Sequence, residues 1–204
     1  MLHYQTIDSK TLELLKGIQE IKIFENLLLV GGTSLALQIG HRISVDLDFF
    51  GKLDVDRQDI INELSKLGKL KTIHFTNNIN VFTLNGIKID IVNYTYPWLQ
   101  KKLIVDDVRL ANIVDISAMK IAAITGRGTM KDFIDLYFIL KQYSLKQILE
   151  FYVQKYSDAS VFMAIKSLTY FDDAEEDVMP KMFKKINWES VKLEIKDQIT
   201  NYSI

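Results

Sequence analysis

Residues 30–50 read VGGTSLALQIGHRISVDLDFF. An apolar run, Leu27 to Val30, stops at the glycine pair Gly31-Gly32, and two carboxylates one residue apart, Asp46 and Asp48, close the stretch. The run reads as a short buried strand. Thr33 is placed to cap a short helix through Ile39, which Gly40 ends. Val45 to Phe50 reads as a second strand. Successive side chains of a strand point to opposite faces. Asp46 and Asp48 are therefore expected on one face, with Val45, Leu47 and Phe49 toward the core. Two neighbouring carboxylates repel unless a cation sits between them. A divalent ion fits, and Mg²⁺ (or Mn²⁺) is bound by a few carboxylates together with substrate phosphates. The glycine pair lets backbone N–H groups approach a phosphate, and the helix that follows aims its N-terminus at the same place.

Working outward, Asp8 and Ser9 offer N-caps for an amphipathic helix from Lys10 to Phe24. Asp56 to Leu67 has helical spacing and ends at Gly68. Leu70–Thr76 and Asn80–Leu84 alternate like strands, and Asn85-Gly86 predicts a tight hairpin into Ile87–Val92. That last strand carries a third carboxylate, Asp90, on the face it shares with Lys88. If it lies beside the strand of Asp46 and Asp48, the three acids converge, and they suit two metal ions or one metal and a base. From Asp115 onward the chain reads as helices: Ile116–Thr125, Lys131–Gln142, a Ser144-capped helix to Tyr156, another through Leu168 and a last one from Trp188. The expected fold is α+β, a mixed N-terminal sheet with flanking helices in residues 1–108 and an all-helical bundle in 109–204.

Composition excludes several classes. The chain has 204 residues, 48% of them hydrophobic and 25% charged, with a formal net charge of -1. No global basic field marks it as a nucleic-acid binder, although a local groove is compatible with 25 Lys and Arg. With no cysteine, neither a disulfide framework nor a thiolate site is available. His3, His41 and His74 are too scattered for a zinc motif. The opening MLHYQTIDSK lacks the apolar core of a signal peptide, and no apolar run is long enough to span a bilayer. A cytoplasmic protein with no membrane partner is the expectation.

A second constellation lies in MKIAAITGRGTMKDFIDLYFIL, residues 119–140. Lys120, Arg127 and Lys131 gather cations around a junction holding Gly126 and Gly128, suited to a triphosphate or an RNA phosphate. Asp132 and Asp135 share a helix face. The plain readings are a surface lysine, a dipole partner for Asp132 and a local ion pair for Asp135. Arg42 either binds an NTP or fixes Asp46, and Ser44 bonds the backbone or a carboxylate. His41 reads as a helix C-terminal cation or a packing residue. The acidic FDDAEED, residues 171–177, reads as a solvated loop.

Alone, D-x-D is a solvated strand face and Gly-Gly a turn. Together, strand, Gly-Gly-Thr, helix, D-x-D and a later strand Asp resemble the nucleotidyltransferase fold of the DNA polymerase β type. More narrowly, GGTSLALQIGHRISVDLDFF, GIKIDIVNYTYPWL, DISAMKIAAITGRGTMKDFIDLYFIL and SLTYFDDAEEDVMPKM, in that order, resemble the AbiEii/AbiGii nucleotidyltransferase toxin family. The resemblance implies the toxin half of a toxin–antitoxin or abortive phage-infection system, transferring a nucleotide from an NTP to an acceptor such as a tRNA 3′ end. It implies Asp46 and Asp48 as metal holders, and Gly31, Gly32 and Thr33 as the phosphate cradle. Lys120 falls on the family's helix lysine, as the triphosphate contact, and Asp132 and Asp135 on its D-x-x-D-L. A cognate antitoxin is an implied partner. Two other readings stay open: an inactive partner-binding module, and a phosphotransferase acting on a protein.

Overall fold

The computed structural model describes residues 1–202. The chain divides into two compact units, one formed by Met1–Thr95 with Lys102–Ala111, the other by Tyr96–Lys101 with the residues from Asn112 on. The expected boundary at 108 and 109 falls inside a strand of the first unit, Val108–Leu110.

In the first unit, Asp8 caps α1 (Ser9–Glu20), its carboxylate accepting from Thr11 N at 2.9 Å. Leu14, Leu15 and Ile18 of α1 share one face and are buried. Then follow β1 (Leu28–Leu29), α2 (Gly31–Ile39), β2 (Leu47–Gly51) and α3 (Arg57–Ser65), with Asp56 capping α3. The chain continues through β3 (Leu70–Phe75), β4 (Ile79–Leu84), β5 (Ile87–Asn93), β6 (Leu103–Val105) and β7 (Val108–Leu110). The strands form one mixed sheet in the order β3-β4-β5-β2-β1-β7-β6. β2 runs antiparallel to β1 and parallel to β5. Leu47 and Phe49 of β2, Phe82 and Leu84 of β4 and Ile89 and Ile91 of β5 form the core face with α1 residues. Each such side chain contributes ~1.5–3 kcal/mol by leaving water, which fixes the register, because a one-residue slip would turn all of them outward.

The Asn85-Gly86 turn has φ of 54° and 87°, the left-handed pair that a tight hairpin requires. A second such turn, Asp106-Asp107 with φ of 52° and 64°, joins β6 to β7 and was not expected. Two aspartates tolerate this conformation but announce it less clearly than Asn-Gly. The hairpin returns the chain to the sheet, where Leu110 pairs with Leu29.

The second unit is helical: α4 (Ile113–Gly126), α5 (Met130–Ile139), α6 (Leu145–Lys155), α7 (Val161–Leu168), α8 (Asp172–Glu175) and α9 (Trp188–Tyr202). Asn112 caps α4, and Ser144 with Gln147 forms a full capping box on α6. The acidic segment is more than a solvated loop. It holds α8, buries Phe171 and Ala174, and Asp177 Oδ2 accepts from Met130 N at 2.8 Å at the start of α5. The buried Lys155 Nζ of α6 donates to Asp115 Oδ1 of α4 and to the Pro97 carbonyl, each at 2.7 Å. Asp115 also accepts from Leu99 N and Gln100 N at 2.8 and 3.1 Å, so this ion pair fastens residues 96–101 to the helices. Tyr94 packs on Phe50, Tyr96 on Tyr156, and Trp98 lies against the Lys155 ammonium.

Candidate active site

β2 and β5 lie side by side in parallel, and Asp48 stands directly opposite Asp90 in their register. Core residues on either side, Leu47 and Phe49 against Ile89 and Ile91, are fully buried and leave the two carboxylates on the other face. Asp46 precedes β2 and is half-buried; Val45, expected in the core, is about half exposed at 49% because the strand starts only at Leu47. Lys88, two residues before Asp90, places Nζ 2.9 Å from Asp90 Oδ2 and 2.8 Å from Oδ1. Burial alone would push the Lys88 ammonium down. The hydrogen bond to Asp90 and the charges of Asp90, Asp48 and Asp46 outweigh it and hold the ammonium raised, so all three acids act on one point.

The glycines sit against this face. Gly31 opens α2 with φ +66°, and a Cβ there would meet Asp48 Oδ2. A Cβ on Gly32 would meet the Arg42 guanidinium. The glycines thus let the start of α2, whose first N–H groups have no helical partner, approach the carboxylates. Gly31→Ala is expected to lose ~1–2 kcal/mol from the left-handed backbone alone, read by urea unfolding, and to displace Asp48.

Thr33 departs from the expected role. Val30 holds the cap position of α2, and Thr33 is buried in the first turn. Its hydroxyl donates to the Asp46 carbonyl and lies 2.8 Å from Ser44 Oγ. Thr33 and Ser44 therefore brace the backbone leading into Asp48. Arg42 is buried and donates from Nη1 to the Ile43 carbonyl at 3.0 Å. His41 is fully buried, in line with a packing role.

In the helical unit, Lys120 of α4 stands between two carboxylates of α5, 2.9 Å from Asp132 Oδ1 and 2.6 Å from Asp135 Oδ2. All three are buried, so Lys120 is not a surface lysine. Thr129 donates its hydroxyl to Asp132 Oδ2 at 2.7 Å, and Arg127, largely exposed, lies 3.8 Å from the same oxygen. Lys131 is exposed at the start of α5. Burial pushes the Asp132 carboxyl up, but Lys120 and the Thr129 hydroxyl overcome this and hold it lowered. Its stabilising contribution is thus present above the unfolded carboxylate pKa of ~4 and disappears as pH falls through the lower folded value. Asp132→Asn is expected to flatten the acid limb of a stability-against-pH curve below about pH 4.

The donor set fits a hard divalent cation. Asp48 and Asp90 stand opposite each other on adjacent strands, with the Lys88 ammonium 2.8 Å from Asp90 Oδ1. Carboxylate oxygens are the ligands that Mg²⁺ or Mn²⁺ takes. Among the described residues no three acidic or imidazole side chains already stand gathered as an ion-holding group. Lys88 was placed on the face of Asp90 without a role, and Asp115 with Lys155 and the Asp177 cap went unread in the sequence. Only Lys88 carried a visible mark, its place two residues from Asp90 on one strand face.

The fold is that of nucleotidyltransferases. A protein from H. pylori solved as a candidate nucleotidyltransferase superposes with a TM-score of 0.61 at 17% identity, covering 94% of this chain and 91% of that one. MenT4, the nucleotidyltransferase toxin Rv2826c of Mycobacterium tuberculosis H37Rv, superposes at 0.58 with 12% identity, covering 94% and 82%. The chain belongs to the nucleotidyl transferase AbiEii toxin family of type IV toxin–antitoxin systems, whose family model matches residues 13–200. An uncharacterized protein of Aquifex aeolicus strain VF5 is 32% identical over 196 residues, 93% of this chain and 94% of that protein. Among the described residues no helix is long and apolar enough to cross a membrane.

Proposed function

We propose that the protein is a Mg²⁺-dependent (or Mn²⁺-dependent) nucleotidyltransferase toxin that moves a nucleotidyl group from an NTP to a hydroxyl of an RNA acceptor, such as a tRNA 3′ end. The observation that carries this reading is the Asp48–Asp90 pair, in register on parallel neighbours beside the glycine start of α2. Asp46, Asp48 and Asp90 would hold the metal, which supplies positive charge to the α-phosphate and the departing pyrophosphate. Gly31 and Gly32 offer backbone N–H groups to the phosphates, and Arg42 borders them. The acceptor oxygen attacks the α-phosphorus, the bond to the pyrophosphate oxygen breaks, and Asp90 takes the hydroxyl proton. The family resemblance adds Lys120 as the cation for the triphosphate, with Asp135 orienting it. A cognate antitoxin, action in the cytoplasm and a role in phage defence are part of the same proposal.

Product analysis tests this. Purified protein is incubated with total tRNA, Mg²⁺ and each NTP, labelled in turn at the α and γ phosphates. Label from the α position on RNA supports nucleotidyl transfer and identifies the NTP. Label from the γ position on a protein overturns it in favour of a phosphotransferase. No Mg²⁺-dependent NTP binding overturns the enzyme altogether and leaves a partner-binding module.

A further inference from the structure

The face that carries the two carboxylates does not end at β5. Register carries it outward, from Asp48 to Asp90, from Asp90 to Val81 of β4, and from Val81 to His74 of β3. A second row runs from Lys88 to Thr83 and on to Lys71. Directly paired residues share a sheet face. The register shift between Thr72 and His74 keeps Lys71 and His74 on that face although they are three residues apart. The opposite face of β4 and β5 is core, through Phe82, Leu84, Ile89 and Ile91. On this one Asp48, Val81, Thr83, Lys88 and Asp90 are partly exposed, and residues 71–79, covering β3 beyond Leu70, are all exposed.

Of the lysines of this region, Lys66 pairs with Glu63 at 2.6 Å and Lys88 with Asp90 at 2.8 Å, while Lys69 and Lys71 have no ion pair among the described residues and no Asp or Glu lies between Leu64 and Ile89. Lys69 and Lys71 are exposed at the edge strand. They stand two strand spacings, ~10 Å, from the line of Asp90. Cations at that distance serve the chain behind a reacting end, not the end itself.

We propose that this face, from β5 across β4 to β3, is the track on which a polynucleotide acceptor lies, its phosphates on Lys69 and Lys71 and its terminal hydroxyl toward Asp90. The proposal rests on the nucleotidyl-transfer reading for its direction but not for its existence. Lysines on an open sheet face grip a phosphate backbone without reading bases, so binding is sequence-tolerant and salt-dependent. His74 adds a ring that can hydrogen-bond a phosphate or sugar.

The test uses the full chain and the Lys69→Glu/Lys71→Glu double variant. Both positions are exposed, and thermal unfolding confirms that the variant is folded. Binding of a fluorescent single-stranded RNA is followed by anisotropy across a salt series, and NTP binding with Mg²⁺ by calorimetry. The variant is expected to bind RNA at least tenfold more weakly with NTP affinity unchanged. Its slope of log affinity against log salt is expected to fall by ~0.7 for each phosphate that the lysines no longer neutralise. Unchanged RNA affinity and slope overturn the track, as does tighter binding of poly-glutamate than of RNA by the native protein. An equal loss of NTP affinity overturns it too, by assigning the lysines to the nucleotide. The two readings fail separately. Native protein that transfers nucleotide to a protein and binds no RNA overturns the track and the RNA acceptor while nucleotidyl transfer stands. Protein that binds RNA through these lysines yet incorporates no label overturns only the transfer reading.

Discussion

Asp48→Ala is expected to abolish Mg²⁺-dependent nucleotide incorporation, by more than ~100-fold, the upper range for losing a mere outer-shell partner of a metal ligand. Asp48 is the acid that both halves of the site depend on. It pairs with Asp90 across β2 and β5, and it is the group that a Cβ on Gly31 would strike. Its strand neighbours Leu47 and Phe49 do the packing, so the substitution leaves the core intact. Removing one of several like charges near Lys88 also relieves repulsion. The thermal midpoint should therefore hold or rise slightly while incorporation of α-labelled nucleotide vanishes. A variant that loses activity and folding together would mean that Asp48 is structural. One that keeps activity would remove the metal role from this face.

The largest effect on stability is expected at Asp115 and Lys155. Both side chains are fully buried. Burial depresses the Lys155 ammonium, and the hydrogen bond and charge of Asp115 only partly restore it. Removing one member of such a pair strands a charge in a poor solvent and costs ~3–5 kcal/mol. Asp115→Leu should reach this range, because Lys155 keeps only the Pro97 carbonyl and the Trp98 ring among the partners described above. Lys155→Met should cost less, since Asp115 retains Leu99 N and Gln100 N. The double variant should recover part of the loss, as apolar replacements of buried pairs often do. Urea unfolding of the four proteins closes the cycle. Additive losses would show that the pair is not coupled.

Much of the first unit was legible. Alternation placed β4 and β5, Asn-Gly announced their turn, and Asp8, Asp56 and Ser144 marked helix starts. These features are local: a turn or a cap is decided by a few adjacent residues. The β6–β7 hairpin was missed because its strands have three residues each and its turn is Asp-Asp. Thr33 looked like a cap because a hydroxyl after a glycine pair suits one, but a carbonyl 13 residues away claimed it. Asp115 and Lys155 went unread, and Lys120 read as a surface lysine or a triphosphate contact, since nothing in their neighbourhoods states that they are buried.

The sequence by itself determined the α+β character, the glycine start of a helix and the strand carboxylates Asp48 and Asp90, because period and turn chemistry are short-range. Only the tertiary structure decided that β2 and β5 are parallel neighbours, that Asp48 faces Asp90, and that Lys88 answers the three acids. The reason is that register comes from a shared buried face. Leu47 and Phe49 choose Ile89 and Ile91 across some forty residues of chain, and the carboxylates on the other side follow.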